Sequence, residues 1–241
     1  MKNSMKKTLR RALRDTIVVG ALLCLLFGGA ALWNESRQPG VPGMPASPSG
    51  ESGEAEVDFD ALRRAAPQAL AWLAVPETQI DYPVAQWTDN QYFVTHSAGH
   101  KPSRDGAIFM DYRNNGDFSD FYTVIYGHNM RSGRMFGTLR EFRESAFFER
   151  VKYGTLRTPA ETYQLQFFAF VLADSSTGDY YHNLAFVLPG EKEAFIEMIK
   201  RTASRWRDIP LGPGDRIVAL STCLASTGDR RVLLLAKLAE Q

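Results

Sequence analysis

Cysteine occurs twice in the 241 residues, at Cys24 and Cys223. Two cysteines build neither a disulfide framework nor a cysteine-rich zinc site, so Cys223 is read as a free thiol. Ile217-Val218-Ala219-Leu220 reads as a buried strand, with Cys223 at its end beside the hydroxyl residues Ser221 and Thr222, and Arg231 opens the next apolar run. If those two strands pair as neighbours they lie about 4.8 Å apart, which sets a guanidinium next to the thiol. A thiol with a pKa of about 8.5 is only slightly ionised at neutral pH, so a nucleophilic cysteine needs a cationic or proton-accepting neighbour. Arg231 supplies charge but takes no proton. His128 is the candidate for that part, standing after Tyr122-Thr123-Val124-Ile125-Tyr126 and the turn-permitting Gly127. Residue types alone leave a second reading open, in which Cys223 is a small buried hydrophobe and His128 a satisfied structural side chain.

Other chemistry finds less support. His96, His100 and His182 stand in polar, loop-like surroundings. Asp111 and Asp229 are the possible acidic partners for the histidine, although a lone Asp beside a turn usually bonds the local backbone. The four histidines show no short paired spacing, no carboxylates alternate with them in a ligand pattern, and no phosphate-binding Gly-rich loop is present. The residues therefore predict neither metal nor cofactor. With 28 Lys plus Arg against 27 Asp plus Glu, the net charge of +1 argues against a dedicated nucleic-acid binder.

The elements that must position these residues read as mostly β. Strands are predicted at residues 80–84, 106–111, 122–126, 151–158, 163–172, 216–221 and 231–238, and a short helix at 59–66 is stopped by Pro67. Tyr163-Gln164-Leu165-Gln166-Phe167 alternates as a half-buried strand does. A longer helix is predicted where Phe195, Met198, Ile199, Thr202, Ala203 and Trp206 recur at helical spacing, a stripe suited to core packing. About eight short strands with few helices suggest a closed or nearly closed β-barrel, with one helix near its start and the long helix before the penultimate strand. Hydrophobic residues at 44% of the chain suffice for such a core.

Ahead of this domain, residues 16–33 carry no charge, and a helix of that length spans roughly 27 Å, enough for a bilayer core. Lys2, Lys6, Lys7, Arg10, Arg11 and Arg14 precede the run, with Asp15 the single acid among the first fifteen residues. The run could instead be the apolar region of a cleaved signal peptide, but it is longer than the roughly 7 to 15 residues usual there. For an uncleaved anchor, the positive-inside rule predicts a basic cytoplasmic segment at 1–15, a single-pass span of the lipid bilayer at 16–33, and an external carboxyl-terminal domain. Residues 34–57, rich in Pro, Gly and Ser, read as a flexible tether, which leaves 58–241 as the globular part.

Taken together, Leu220-Ser221-Thr222-Cys223 with an arginine opening the following strand, and Tyr126-Gly127-His128-Asn129-Met130, make the chain resemble a class B sortase. Further shared features are Trp72, Ile80-Asp81-Tyr82-Pro83-Val84, Asp89-Asn90, Gly106-Ala107-Ile108-Phe109-Met110-Asp111 and Met135-Phe136-Gly137, so that the likeness runs from about Phe59 to Leu238. The resemblance implies a sortase-type barrel and a membrane-anchored cysteine transpeptidase of Gram-positive cell surfaces. Cys223 would be the nucleophile, His128 the general acid and base, and Arg231, in preference to the adjacent Arg230, the stabiliser of the oxyanion and of the bound peptide. Asn90, Tyr126, Ser221 and Thr222 would lie near the substrate groove. Implied partners are secreted proteins bearing a carboxyl-terminal sorting signal, cleaved after a Thr, and an amine acceptor from peptidoglycan, its lipid-linked precursor or a pilin lysine. The alternatives are a cell-wall cysteine peptidase or amidase, and a non-catalytic tethered surface-binding module. Papain-like chains place the cysteine before the histidine, the reverse of the order found here.

Overall fold

The computed structural model describes residues 57–174, 180–223 and 230–240, with Cys223 described through its backbone. In chain order the elements are α1 (Phe59–Ala65), β1 (Ala69–Ala74), β2 (Asp81–Ala85), α2 (Tyr92–Thr95), β3 (Ile108–Met110), β4 (Tyr122–Tyr126), a 3-10 helix (Gly137–Arg143), α3 (Ser145–Arg150), β5 (Tyr153–Arg157), β6 (Thr162–Asp174), α4 (Glu191–Thr202), β7 (Ala203–Trp206), β8 (Arg216–Cys223) and β9 (Arg230–Glu240). The predicted basic segment at 1–15, the membrane span at 16–33 and all of the tether except Val57 lie outside the described residues. No helix among the described residues is long and apolar enough to cross a membrane.

The strands follow the order β5-β1-β2-β3-β4-β8-β9-β6-β7, and an additional β5–β6 pairing closes eight of them into a barrel. β6 makes the closure possible through its length. One edge pairs antiparallel with β9 from Tyr163↔Glu240 to Asp174↔Arg230. The other edge is shared, with Thr162 to Gln166 facing β5 and Ala169 to Val171 facing β7. A register shift between Phe167 and Ala169 adds the local twist that lets one strand serve both neighbours. β2–β3 and β4–β8 are the parallel pairs, and β4–β8 runs from Tyr122↔Ile217 to Tyr126↔Ser221.

Two apolar layers explain why β8 and β9 read as unbroken hydrophobic runs rather than alternating ones. Val218, Leu220, Val232, Leu234 and Ala236 join the cluster that includes Phe167, Phe170 and Ile125. The intervening Ile217, Ala219, Leu233 and Leu235 join a second cluster with Phe186, Phe195, Ile196 and Ile199, so α4 and the segment before it cover that face. A third cluster packs Leu62 of α1 with Trp72, Ala85, Phe93 and Phe109. Each buried Phe or Leu stabilises the fold by roughly 1.5–3 kcal/mol, and both faces of β8 draw on this before the chain reaches its last residues.

Most predicted elements recur with shifts at their ends. The first helix is capped by Asp58, whose side chain accepts from the Ala61 amide at 2.8 Å. The helical stripe is corrected at its end. α4 stops at Thr202, and Ala203 and Trp206 belong to β7, where Ala203 pairs with Val171 and Trp206 with Ala169. Both still pack on the second cluster, because the strand leads them to the same face that the helix turn would have reached. β1, rich in the helix formers Ala and Leu, carries no strand signature in the sequence; pairing on both edges, with β2 and with β5, decides its conformation.

Candidate active site

β4 and β8 run side by side in parallel, and Tyr126 is in register with Ser221. The Gly127 amide continues the ladder to the Ser221 carbonyl at 3.2 Å. His128 and Cys223 therefore each stand two residues beyond a paired position, at the same end of neighbouring strands. Across the other edge of β8, Cys223 is directly opposite Arg231 of β9. The neighbourhood of thiol and guanidinium read from the sequence is thus a register pair in the backbone.

These strand ends border an open cleft of about 390 Å³. Asn90, Gln91, Val94, Phe109, Tyr126, Gly127, His128, Tyr181, Ser221, Thr222 and Arg231 line it. All six predicted site residues other than the cysteine accordingly come together around one concavity. His96 and His100 lie apart from it, tied to Tyr92 through its backbone carbonyl and its hydroxyl respectively, and His182 is exposed. Asp229 lies outside the described residues. Among the described residues no group of three or more His, Cys, Asp or Glu side chains could hold a metal ion.

The His128 ring is held from behind. Its Nε2 is 2.8 Å from the carbonyl oxygen of Val94 in α2. A carbonyl only accepts, so Nε2 carries a proton and Nδ1 is the ring nitrogen left to exchange one. α2 itself is fixed at its start by Asp89, whose Oδ1 accepts from the amides of Gln91 at 2.6 Å and Tyr92 at 2.8 Å. The backbone around His128 is equally constrained, because Phe136 donates to its carbonyl at 2.9 Å and Asn129 bridges to Met135. A Cβ on Gly127 would run into Ile108 and Phe136, so the glycine is required by close packing at the turn into His128.

Asp111 does not orient the histidine. It is fully buried, and its carboxylate accepts from Asn90 Nδ2 at 2.9 Å, Tyr126 OH at 3.0 Å, and the Arg113 guanidinium at 2.9 and 2.8 Å. Burial pushes its carboxyl up, but the hydrogen bonds from Arg113, Tyr126 and Asn90 outweigh that and hold it below the ordinary carboxylate value. The same environment raises Tyr126 far above an ordinary phenol, through burial first and the adjacent Asp111 charge next. Tyr126 therefore stays protonated and donates.

Sequence reasoning missed several lining residues. Tyr181 shares a hydrogen bond with Ser221 Oγ at 2.9 Å and stacks on Tyr126 with ring centroids 6.3 Å apart. Nothing local in Tyr180-Tyr181-His182 signals this, since the contact depends on a segment folding back over β4 and β8. Val94 acts through a backbone carbonyl, which carries no residue identity to read. Thr222 Oγ1 is buried beside the cleft with no hydrogen-bond partner among the described residues.

A closed eight-stranded barrel thus gathers His128 and Arg231 at one cleft, on the two strands that flank β8. Residues 73–239 match the family model described as the sortase domain. Sortase B of Listeria monocytogenes is 32% identical over 162 residues, covering 67% of this chain and 65% of that protein. The crystal structure of Staphylococcus aureus sortase B superposes with a TM-score of 0.71 at 27% identity, covering 76% of this chain and 87% of that one. A Streptococcus pyogenes class B sortase involved in pilus biogenesis gives 0.69 at 33% identity, covering 76% and 98%. The chain belongs to the sortase family, a family of cysteine transpeptidases, and its relatives are of class B.

Proposed function

We propose that the chain is a membrane-anchored transpeptidase that cleaves a carboxyl-terminal sorting motif after Thr and passes the new carbonyl to an amine. Cys223 is the nucleophile, His128 the general acid and base, and Arg231 the group that stabilises the oxyanion. The observation that carries this reading is the register pair Cys223↔Arg231 beside the parallel strand that ends in His128.

In the first half-reaction the Cys223 thiol proton passes to His128 Nδ1, the resulting thiolate forms a bond to the Thr carbonyl carbon, and the negative charge moves to the carbonyl oxygen, where Arg231 holds it. The C–N bond then breaks as His128 gives its proton to the leaving amine, which leaves a thioester. In the second half an incoming amine attacks the thioester, His128 takes its proton, and the thiolate departs. Asn90, Tyr126, Ser221 and Thr222 hold the peptide by hydrogen bonds along the cleft. The acceptor amine comes from a peptidoglycan cross-bridge or lipid-linked precursor, or from a pilin lysine, the last in keeping with the pilus role stated for the Streptococcus pyogenes relative. Residues 1–15 stay in the cytoplasm, 16–33 span the membrane and 34–57 form a tether of roughly 27 Å that lets the external domain, 58–241, work near the surface where both substrates arrive.

The test is mass spectrometry of the full chain in detergent after incubation with a library of sorting-motif peptides, with and without an amine acceptor. A thioacyl adduct on Cys223 and a ligated product are expected, and both disappear in Cys223→Ala and His128→Ala. Hydrolysis without ligation at saturating amine would make the protein a peptidase instead, and turnover retained in either variant would remove the assigned roles.

A further inference from the structure

Three residues that line the cleft meet at one ion pair that does not line it, between the buried Asp111 and the partly exposed Arg113. Asp111 stands just past β3, and its Oδ2 accepts from Asn90, Tyr126 and Arg113 Nη2, while Oδ1 accepts from Arg113 Nε and from the Arg113 amide at 3.0 Å. The Arg113 guanidinium then continues outward. Nη2 also donates to the Tyr181 carbonyl at 2.8 Å and Nη1 to the His182 carbonyl at 3.4 Å. The Tyr181 segment is thus secured twice, by its carbonyl to Arg113 and by its hydroxyl to Ser221.

The donor and acceptor inventory shows what this does for a bound peptide. Asn90 has two amide protons and two acceptor lone pairs. One proton goes to Asp111, and one lone pair receives the Tyr112 amide at 3.0 Å. The amide group cannot flip without facing its NH₂ toward another donor and its oxygen toward a carboxylate. It is left with one N–H and one lone pair of fixed direction, which match the C=O and N–H of an extended peptide. Tyr126 likewise spends its proton on Asp111, so its oxygen offers the cleft an acceptor only.

Stability alone does not account for the arrangement. An ion pair whose cation reaches solvent is screened, and its net contribution is modest. What the pair accomplishes here is geometric, since the side chains that converge on Asp111, and the backbone that Arg113 reaches, belong to cleft residues drawn from α2's leading turn, β4 and the 180–182 segment.

We propose that Asp111 and Arg113 are the positioning residues of the peptide cleft: they set the direction in which Asn90 and Tyr126 present hydrogen-bonding atoms and fix the Tyr181 segment to the same point. The proposal rests on the reading of this cleft as the site of peptide acyl transfer.

The experiment compares wild type, Asp111→Asn, Arg113→Lys and the double variant in the full chain, with the library peptide that gives the largest adduct. Asp111→Asn keeps the shape but aims an NH₂ group at donors. Arg113→Lys keeps the charge on a side chain that is 34% exposed but cannot span Asp111 and the Tyr181 carbonyl together. Each loses a charge-assisted hydrogen bond or sets two donors face to face, so KM for the peptide is expected to rise roughly ten-fold. kcat and the rate at which a small reagent alkylates Cys223 should stay at wild-type values, and the double variant should be no worse than the poorer single one. A folded Arg113→Lys with unchanged KM overturns the proposal, as does a fall in kcat and alkylation with KM unmoved, which is the signature of general structural damage. Should Asp111→Asn fail to fold, Arg113→Lys decides alone. A wild-type protein that forms no adduct with any peptide sinks the functional reading and this inference with it, whereas normal wild-type turnover with insensitive variants removes only the inference.

Discussion

Gly106 gives the sharpest test of how the histidine is held. Its φ is +62°, and a Cβ built there would overlap the Phe93 carbonyl oxygen, lie 2.9 Å from the Val94 carbonyl oxygen and reach 3.1 Å from His128 Cδ2. The Val94 oxygen is the one that accepts from His128 Nε2. Gly106→Ala therefore places left-handed strain, about 1–2 kcal/mol, on a residue that also pushes against two backbone oxygens. Overpacking of that kind adds about 1–3 kcal/mol, because backbone atoms cannot swing aside as a flexible side chain would. The sum, about 2–5 kcal/mol, corresponds to a fall in Tm of roughly 5–15 °C for a domain of this size and leaves most of the protein folded at 25 °C. Relief of the overlap moves α2 and the Val94 carbonyl away from the ring. A displacement of about 1 Å in a reacting group can cost on the order of a hundred-fold, so a shift of a few tenths of an ångström should lower kcat roughly ten-fold. Thermal unfolding followed by circular dichroism gives the first quantity and single-turnover ligation the second. A variant as stable as wild type would refute the steric argument. A destabilised variant with full kcat would refute the claim that Val94 orients His128.

Arg231→Lys retains the charge but loses the planar fork, and ligation should slow by roughly 10²- to 10³-fold, whereas Arg230→Lys, on an exposed residue in register with Asp174, should ligate normally. The reverse outcome would move the oxyanion role to Arg230. Asp111 predicts a pH dependence of stability. Its folded value lies below the ordinary 3.8, so its contribution is fully present above that value and is lost as pH falls through the lower, folded value. Urea melts should show the gap between wild type and Asp111→Asn narrowing below about pH 4, and a gap that stays constant down to pH 2 would contradict the assignment.

How much of this was legible before the fold was known differs from residue to residue. The strands carrying the proposed catalytic residues announced themselves, because β4 and β8 are apolar runs ending in Tyr126 and Cys223, and β9 is one that opens on Arg230 and Arg231. Pairing of β8 with β9 was the condition on which the sequence set Arg231 beside Cys223, and the Cys223↔Arg231 register meets it. The parallel β4–β8 pair was not legible, since 95 positions separate His128 from Cys223 and nothing local states that their strands adjoin. The stripe of α4 ran four residues too far, to Trp206 instead of Thr202, for the same reason. Ala203 and Trp206 satisfy helical spacing, yet the free edge of β6 offers backbone hydrogen bonds that a further helical turn would forgo.

Residue types and their order supplied the proposed chemistry of this protein: the Cys223 thiol with a cation and an imidazole to serve it, on a mainly β scaffold, behind a charged and then an apolar amino-terminal stretch. Tertiary structure alone decided what surrounds that chemistry. The Val94 carbonyl behind His128, the Tyr181 hydroxyl on Ser221, and the Asp111–Arg113 pair beneath Asn90 and Tyr126 are contacts between distant segments. Periodicity and turn signals report on a few neighbouring residues at a time, whereas barrel closure, register and the partners of a buried carboxylate are fixed by hydrogen bonds and packing that exist only once the β5–β6 pairing has drawn the ends of the sheet together.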